Sequence, residues 1–304
     1  MLDVRRLRLL RELSHRGTIA AVAEALSFTP SAVSQQLSVL EREAGVALLE
    51  RSGRRVALTP AGQRLVRRTE DVLERLELAA AELAEARHGP SGPLRIGAFP
   101  SATRAILPAA LTVLGARHPG LEPLVSETDP ARVADALRAG DLDLALLHEY
   151  DFVPAPTEPG LAVEPLCAEP MYLASAAPAR TTGTGPSVLA EWSAAPWITA
   201  TPGTLCHTMT VRACQAAGFT PHVRHRVDDF TTVLALVAAG QGVALVPRLG
   251  LVDVPAAVSL TRLPVRRRTT IAYRRGAGRH PAITAVAEAL RGAVPAELTG
   301  GSWR

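Results

Sequence analysis

The 304-residue chain contains no lysine: all 33 basic residues are arginine. That uniformity reads as a composition bias of the coding genome, not as chemistry. Cysteine is scarce as well. Cys167, Cys206 and Cys214 are too few for a disulfide scaffold and fit a reducing compartment. Aromatic residues make up 4% of the chain against 47% hydrophobic residues overall, so its cores rest on leucine, valine and alanine. No run of about 18 apolar residues is present to span a membrane. The N-terminal segment does not read as a secretory leader, because Arg5, Arg6, Arg8 and Arg11 interrupt any apolar core. A cytoplasmic protein is the expectation. There is also no glycine-rich phosphate loop, no Gly-x-Ser-x-Gly turn and no metalloprotease histidine pair. His207, His222 and His225 lie near Cys206 without convincing ligand spacing. Nothing argues for catalysis, a metal or a cofactor.

The length suits two or three domains. A net charge of +4 and a pI near 9.5 permit a nucleic-acid partner without proving one. The informative stretch runs from Thr18 to Ala44. Thr18 is placed to cap a first helix, with Ile19, Val22, Ala23 and Leu26 at helical spacing. Ser27-Phe28 breaks the pattern. Thr29 then precedes Pro30, the signal of a capped helix start. The second helix places Val33, Leu37 and Leu40 on one face. Its other face carries Ser31, Ser34, Gln35, Ser38 and Arg42, small hydroxyls and amides where a solvated face usually carries charge. Such groups can read base edges and phosphates in a DNA major groove. The stretch is therefore a helix-turn-helix candidate; the plainer alternative is a helical hairpin with a polar surface.

Its surroundings favour the first reading. Asp3 to Arg16 is a supporting amphipathic helix, and Gly45 ends the second helix of the pair. Val46 to Leu58 reads as a β-hairpin wing around Ser52-Gly53. Arg51, Arg54 and Arg55 at its tip suit phosphate or minor-groove contact, or else a solvated basic turn. Thr59-Pro60 opens a long helix to about Arg87. In it Leu65, Thr69, Val72, Leu76, Ala79 and Leu83 follow a heptad-like spacing. Such a seam can be buried against a second copy, so Leu65, Val72, Leu76 and Leu83 are the expected dimer contacts.

Residues 1–62 resemble the winged helix-turn-helix of LysR-type transcriptional regulators. The resemblance is carried by TIAAVAEALSFTPSAVSQQLSVLEREAGVALLER followed by RRVALTPAG. It implies DNA contacts at Pro30, Ser31, Ser34 and Gln35, with Arg54 or Arg55 in the wing. Gln35 stands where many members have a basic residue, and Leu49 replaces a common phenylalanine. The resemblance extends more loosely over the second half through DALRAGDLDLALLH and VLALVAAGQGVALVP. There it implies a periplasmic-binding-protein-like effector domain, with double-stranded DNA, a small-molecule effector and a homodimer or homotetramer as partners.

The second half itself reads as β–α alternation after the breaker-rich hinge His88 to Pro93. The expected organisation is a winged helix-turn-helix over 1–59, a linker and dimerisation helix over 60–88, an effector domain of two α/β lobes over 92–292, and a flexible tail over 293–304. Two helices, one running from Ser101-Ala102-Thr103 to Arg117 and one starting after Thr201-Pro202-Gly203-Thr204, are expected to point their N-termini into the cleft between the lobes. Phe230-Thr231 opens a third helix, and His148 ends a bordering strand. Free N–H groups at such helix starts favour an anion, although serine, threonine and proline there are more commonly plain caps. Arg104 is a further candidate anion contact. Arg266-Arg267-Arg268, with Arg274, Arg275 and Arg279, reads as a solvated strand edge. Two other readings remain: a small-molecule binding protein or α/β enzyme with a helical interaction domain, and a cysteine-based redox regulator using Cys206 and Cys214.

Overall fold

The computed structural model describes the chain except for residues 53–54, 87–88, 156–157, 178–185 and 299–304. The N-terminal head comprises α1 (Val4–Arg16), α2 (Ile19–Ala25), α3 (Pro30–Ala44) and the hairpin β1 (Leu49–Ser52) and β2 (Arg55–Leu58). Local chemistry sets the helix ends. The side chains of Asp3, Thr18 and Thr29 accept from backbone N–H groups in the first turns, and Gly45 closes α3 with a φ of 67°. Ser27 takes a φ of 55° in the turn between α2 and α3, where the apolar pattern breaks. Leu7, Leu10, Leu13, Val22, Val33, Leu37 and Leu40 meet in one core beneath the pair.

Next comes α4 (Pro60–Glu85). Thr59 caps it by accepting from Gly62 N, and a Cβ at Gly62 would lie 2.2 Å from the Leu48 carbonyl oxygen. Only glycine lets this helix start so close to the wing. Along the expected seam, Leu65 packs on the head core and Thr69 is buried. Val72, Leu76 and Leu83 are exposed. The opposite side of α4 is tied to the rest of the chain, with Arg274 Nε donating to Glu77 Oε1 at 2.7 Å.

The remainder runs β3 (Gly92–Ala98), α5 (Pro100–Ala105), α6 (Leu107–Arg117), β4 (Leu121–Glu127), α7 (Pro130–Ala139), β5 (Leu144–Tyr150) and β6 (Leu161–Ser175). It continues with α8 (Pro186–Ala190), β7 (Pro196–Thr199), α9 (Leu205–Ala216), β8 (His222–Arg226), α10 (Phe230–Ala238), β9 (Ala244–Pro247), β10 (Ser259–Arg274) and α11 (Pro281–Gly292). A six-stranded mixed sheet has the order β4-β3-β5-β10-β6-β9, and β7 pairs with β8 in parallel. The long antiparallel strands β6 and β10 cross between the lobes: β10 pairs with β5 at one end, and β6 pairs with β9 at the other. One lobe packs Ile96, Leu107, Leu146, Ile271, Val286 and Leu290 together. The other is built around Trp197, Met209 and Leu245, with α10 adding Val233 and Leu234 against Val246.

Three expectations need correction. The helix expected to run unbroken from Ser101 to Arg117 breaks at Ile106, because Pro108 has no N–H to offer the Arg104 carbonyl. The arginine-rich strand is not a sheet edge: β10 lies between β5 and β6, and Arg267 is 1% exposed. The tail is not free from residue 293 onward. Val294 and Leu298 are buried in the first lobe's core, and residues 299–304 lie outside the described part.

Candidate DNA-binding surface and effector cleft

On α3, period 3.6 separates two faces. Val33, Leu37 and Leu40 are buried, while Thr29, Pro30, Ser31, Ser34, Gln35, Ser38 and Arg42 are exposed. All the helical DNA-contact candidates thus share one solvent-facing side. Sequence reasoning missed what orients that side. Glu41 Oε1 accepts from both Leu48 N (2.9 Å) and Leu49 N (3.0 Å), fixing the wing to the end of α3. Arg6 Nε donates to Gln36 Oε1 at 2.9 Å and joins α1 to the same helix. Of the wing candidates, Arg51 and Arg55 have backbone positions in the hairpin strands. Their side chains, and all of Arg54, lie outside the described part.

Between the lobes lies a cleft of about 300 Å³. Ser101, His148, Thr204 and Phe230 line it together, as expected, and so does Arg104. Ala102 is instead buried in the first lobe's core, and Thr103 Oγ1 donates to the Phe99 carbonyl within its own helix. Thr201, Pro202 and Gly203 are exposed outside the lining. Thr201 gives both its N–H and its hydroxyl to Asp228. Thr231 is also outside, accepting from Arg104 Nη1 at 2.7 Å.

The floor of the cleft was not foreseen. Arg267 Nε donates to Glu169 Oε1 at 2.7 Å, its Nη2 donates to Ser101 Oγ at 2.9 Å, and its guanidinium lies 4.8 Å from the centre of the Phe99 ring. Burial works against the Arg267 charge, but the surrounding partners, the Glu169 carboxylate first among them, together outweigh it and keep the guanidinium protonated. Glu169 Oε2 also accepts from Leu249 N. His148 sits beside this pair, edge-on to Phe99 at 4.5 Å and to Tyr150 at 5.3 Å. Burial, reinforced by the Arg267 charge, holds its pKa well below the usual histidine value, so the ring is neutral near pH 7. A signal for Arg267 does exist in the sequence. Period-2 counting from Leu263 and Val265 puts Arg267, Thr269 and Ile271 on the same inward face.

Cys206 Sγ and Tyr150 Oη are 2.9 Å apart at the cleft wall. Burial raises the pKa of the Cys206 thiol and pushes that of Cys214 up to about 12, so both remain thiols near neutral pH. Eight residues of continuous α9 separate them by about 12 Å, far beyond disulfide reach. At the α9 start the plainer cap reading holds, and α10 and α7 are capped as well, while α5 has no side-chain cap. Asp229 caps α10 by accepting from Thr232 N, Asp129 caps α7 by accepting from Ala131 N, and Thr204 caps α9 by accepting from His207 N. The free N–H groups imagined for an anion are partly taken by the chain's own caps.

A winged helix-turn-helix head, a long helix and a two-lobed domain with an inter-lobe cleft define a ligand-responsive DNA-binding protein. Comparison with known proteins gives the family. Residues 4–63 match the family described as bacterial regulatory helix-turn-helix protein, lysR family, and residues 87–295 match the LysR substrate binding domain. The transcriptional regulator TfdS of Cupriavidus pinatubonensis is 34% identical over 251 residues, 81% of this chain and 82% of that protein. The transcriptional dual regulator GltC of Bacillus subtilis is 27% identical over 81% of each. Among solved structures, a cysteine mutant of OxyR from Corynebacterium glutamicum is 26% identical with a TM-score of 0.58, covering 96% of this chain and 92% of that one. The chain belongs to the LysR family of transcriptional regulators. These relatives are named as regulators, not enzymes, which removes the enzyme reading. No helix among the described residues is long and apolar enough to cross a membrane.

Proposed function

We propose that the chain is a cytoplasmic regulator that binds double-stranded operator DNA as a homodimer or a dimer of dimers, and that an effector in the inter-lobe cleft resets how its heads engage DNA. The observation that carries the DNA half is the exposed row Ser31, Ser34, Gln35 and Ser38 above the buried Val33, Leu37 and Leu40. Ser34 and Gln35 reach base edges, Thr29, Pro30 and Ser31 lie against the backbone, and Arg51, Arg54 and Arg55 of the wing meet phosphates or the minor groove. Two heads joined through Leu65, Val72, Leu76 and Leu83 read a roughly palindromic site. Ser101, His148, Thr204 and Phe230 contact the effector directly. The ligand acts by binding one arrangement of lobes and heads better than another. An anionic effector rests on the helix starts and on Arg104, and the caps of Asp129, Asp229 and Thr204, with the pairing of Arg104 to Asp229, weaken that support. The redox alternative is no better supported, given protonated thiols held apart on one helix.

The test is fluorescence anisotropy on fragments selected from the source genome, over a salt series with random DNA as competitor. Competitor-resistant binding is expected. Ser34→Ala should lose discrimination between sites, and Arg54→Ala should flatten the salt dependence by about one phosphate contact. Binding no tighter than to random DNA on every selected fragment would sink the DNA-reading assignment.

A further inference from the structure

Which chemistry does the cleft accept? The answer lies in a buried side chain with nothing to bond. His148 is 6% exposed and lines the cleft, and neither ring nitrogen has a hydrogen-bond partner. Phe99 and Tyr150 hold the ring edge-on. Leaving a buried polar group unmet is costly, so a ligand that satisfies it gains affinity, by about tenfold or more. A neutral imidazole offers one donor and one acceptor. A hydroxyl or carboxamide answers both at once.

The charges around the cleft point the same way. Glu127, Asp129, Asp228 and Asp229 line its mouth, against two guanidiniums. Both guanidiniums already have acidic partners: Arg104 with Asp229 at 3.5 Å, and Arg267 with Glu169 at 2.7 Å. An entering carboxylate must pass four acids and then compete with a resident one. An entering ammonium meets the buried Arg267 at the floor. Between mouth and floor the walls are apolar, formed by Phe99, Pro100, Pro130, Leu205 and Phe230. The volume is at the small end of the range for small-molecule sites.

We propose that the effector is a small uncharged compound with a flat apolar body and one hydroxyl or carboxamide group buried against His148. This rests on the reading of the cleft as the effector site.

Four probes that share one ring separate the possibilities: benzamide, benzyl alcohol, benzoate and benzylamine. Their binding to the full chain is measured by calorimetry and thermal shift at neutral pH, up to about 10 mM, for the parent, His148→Phe and His148→Gln. Benzamide and benzyl alcohol should bind at least about tenfold more tightly than benzoate or benzylamine, and His148→Phe should weaken them by about tenfold. His148→Gln, which keeps a donor and an acceptor, should retain benzamide binding. The probe ranking on the parent tests the charge argument even if His148→Phe does not fold. Benzoate binding most tightly, with His148→Phe still harmful, overturns the uncharged ligand while the cleft stands as the site. Equal binding of all four, indifferent to His148, means that they bind elsewhere and overturns the cleft reading too. No binding by any probe overturns the proposed ligand class.

Discussion

Helices α3 and α4 each bury one face and leave another bare, and the bare faces are opposites. On α3 it is polar: Ser31, Ser34, Gln35 and Ser38. On α4 it is apolar: Val72 is 40% exposed, Leu76 45% and Leu83 73%. Water tolerates the first face indefinitely. Exposing the second forfeits roughly 25 cal/mol for each Å² that could be buried. A polar bare face with few charges therefore speaks of an intermittent partner that is itself hydrated, such as a DNA groove. An apolar bare seam on a helix otherwise tied into its own chain speaks of a lasting partner of matching shape, and the proposed second copy would be one.

Leu76→Glu breaks the comparison where it is strongest. Its side chain is half exposed, so the fold should survive while the seam gains a charge. Sedimentation should show monomers at concentrations where the parent is dimeric. Operator affinity should fall by about 100-fold or more, because joining two heads supplies that much through effective concentration. A stable dimer in the variant would remove the seam from the interface.

A smaller effect comes from the other helix. Glu41 accepts from the backbone N–H groups of Leu48 and Leu49, so Glu41→Ala leaves two partly buried donors unmet. We expect a loss of about 1–3 kcal/mol in head stability by denaturant unfolding. Site discrimination should fall with it, since the wing loses its fixed angle to α3. Unchanged stability would show that water replaces the carboxylate at no cost.

The head was legible in the sequence because its signals are local. Thr29-Pro30, Gly45 and the spacing of Val33, Leu37 and Leu40 each act within a few residues, and the structure realises them as cap, stop and buried face. Most strands and helices of the second half were legible for the same reason. Half of the cleft was not. Ser101, Thr204 and Phe230 stand at helix starts that local pattern can locate, whereas His148, expected to end its strand, lies inside β5, which runs on to Tyr150 because β10 pairs with it that far. Arg267 sits amid arginines that look solvated, and its burial depends on β5 and β6 flanking β10 and on Glu169 arriving from 98 residues away. Its partner is non-local, so composition misleads, and only the period-2 alternation of the strand hints at the truth. The same holds for Asp129 and Asp229. Each reads as an ordinary helix cap, and the chain's long-range course makes both part of the cleft mouth.

On the covered side of α4, charge replaces the apolar seam, and the expected effect is smaller still. Glu70 lies 3.5 Å from His15 Nε2 and is mostly buried, with a side-chain exposure of 15%. Burial alone would raise its pKa. The His15 contact and the nearby charges of Arg11, His15 and Arg138 more than offset it, so the folded carboxyl titrates below its ordinary value. A depressed carboxyl pKa stabilises the fold above the unfolded pKa, and that contribution is lost as pH falls through the folded one. Glu70→Gln should therefore melt below the parent at pH 7 by about 1 kcal/mol or less, the range of partly exposed ion pairs. The two melting curves should converge as the pH is taken below the ordinary carboxylate range. A gap that persists in acid would mean that Glu70 is held by a hydrogen bond the amide cannot replace, since Gln keeps the shape of Glu and removes only its charge. In that case the covered side of α4 would be held by hydrogen bonding and not by charge, and the bare seam would have no charged counterpart across the helix.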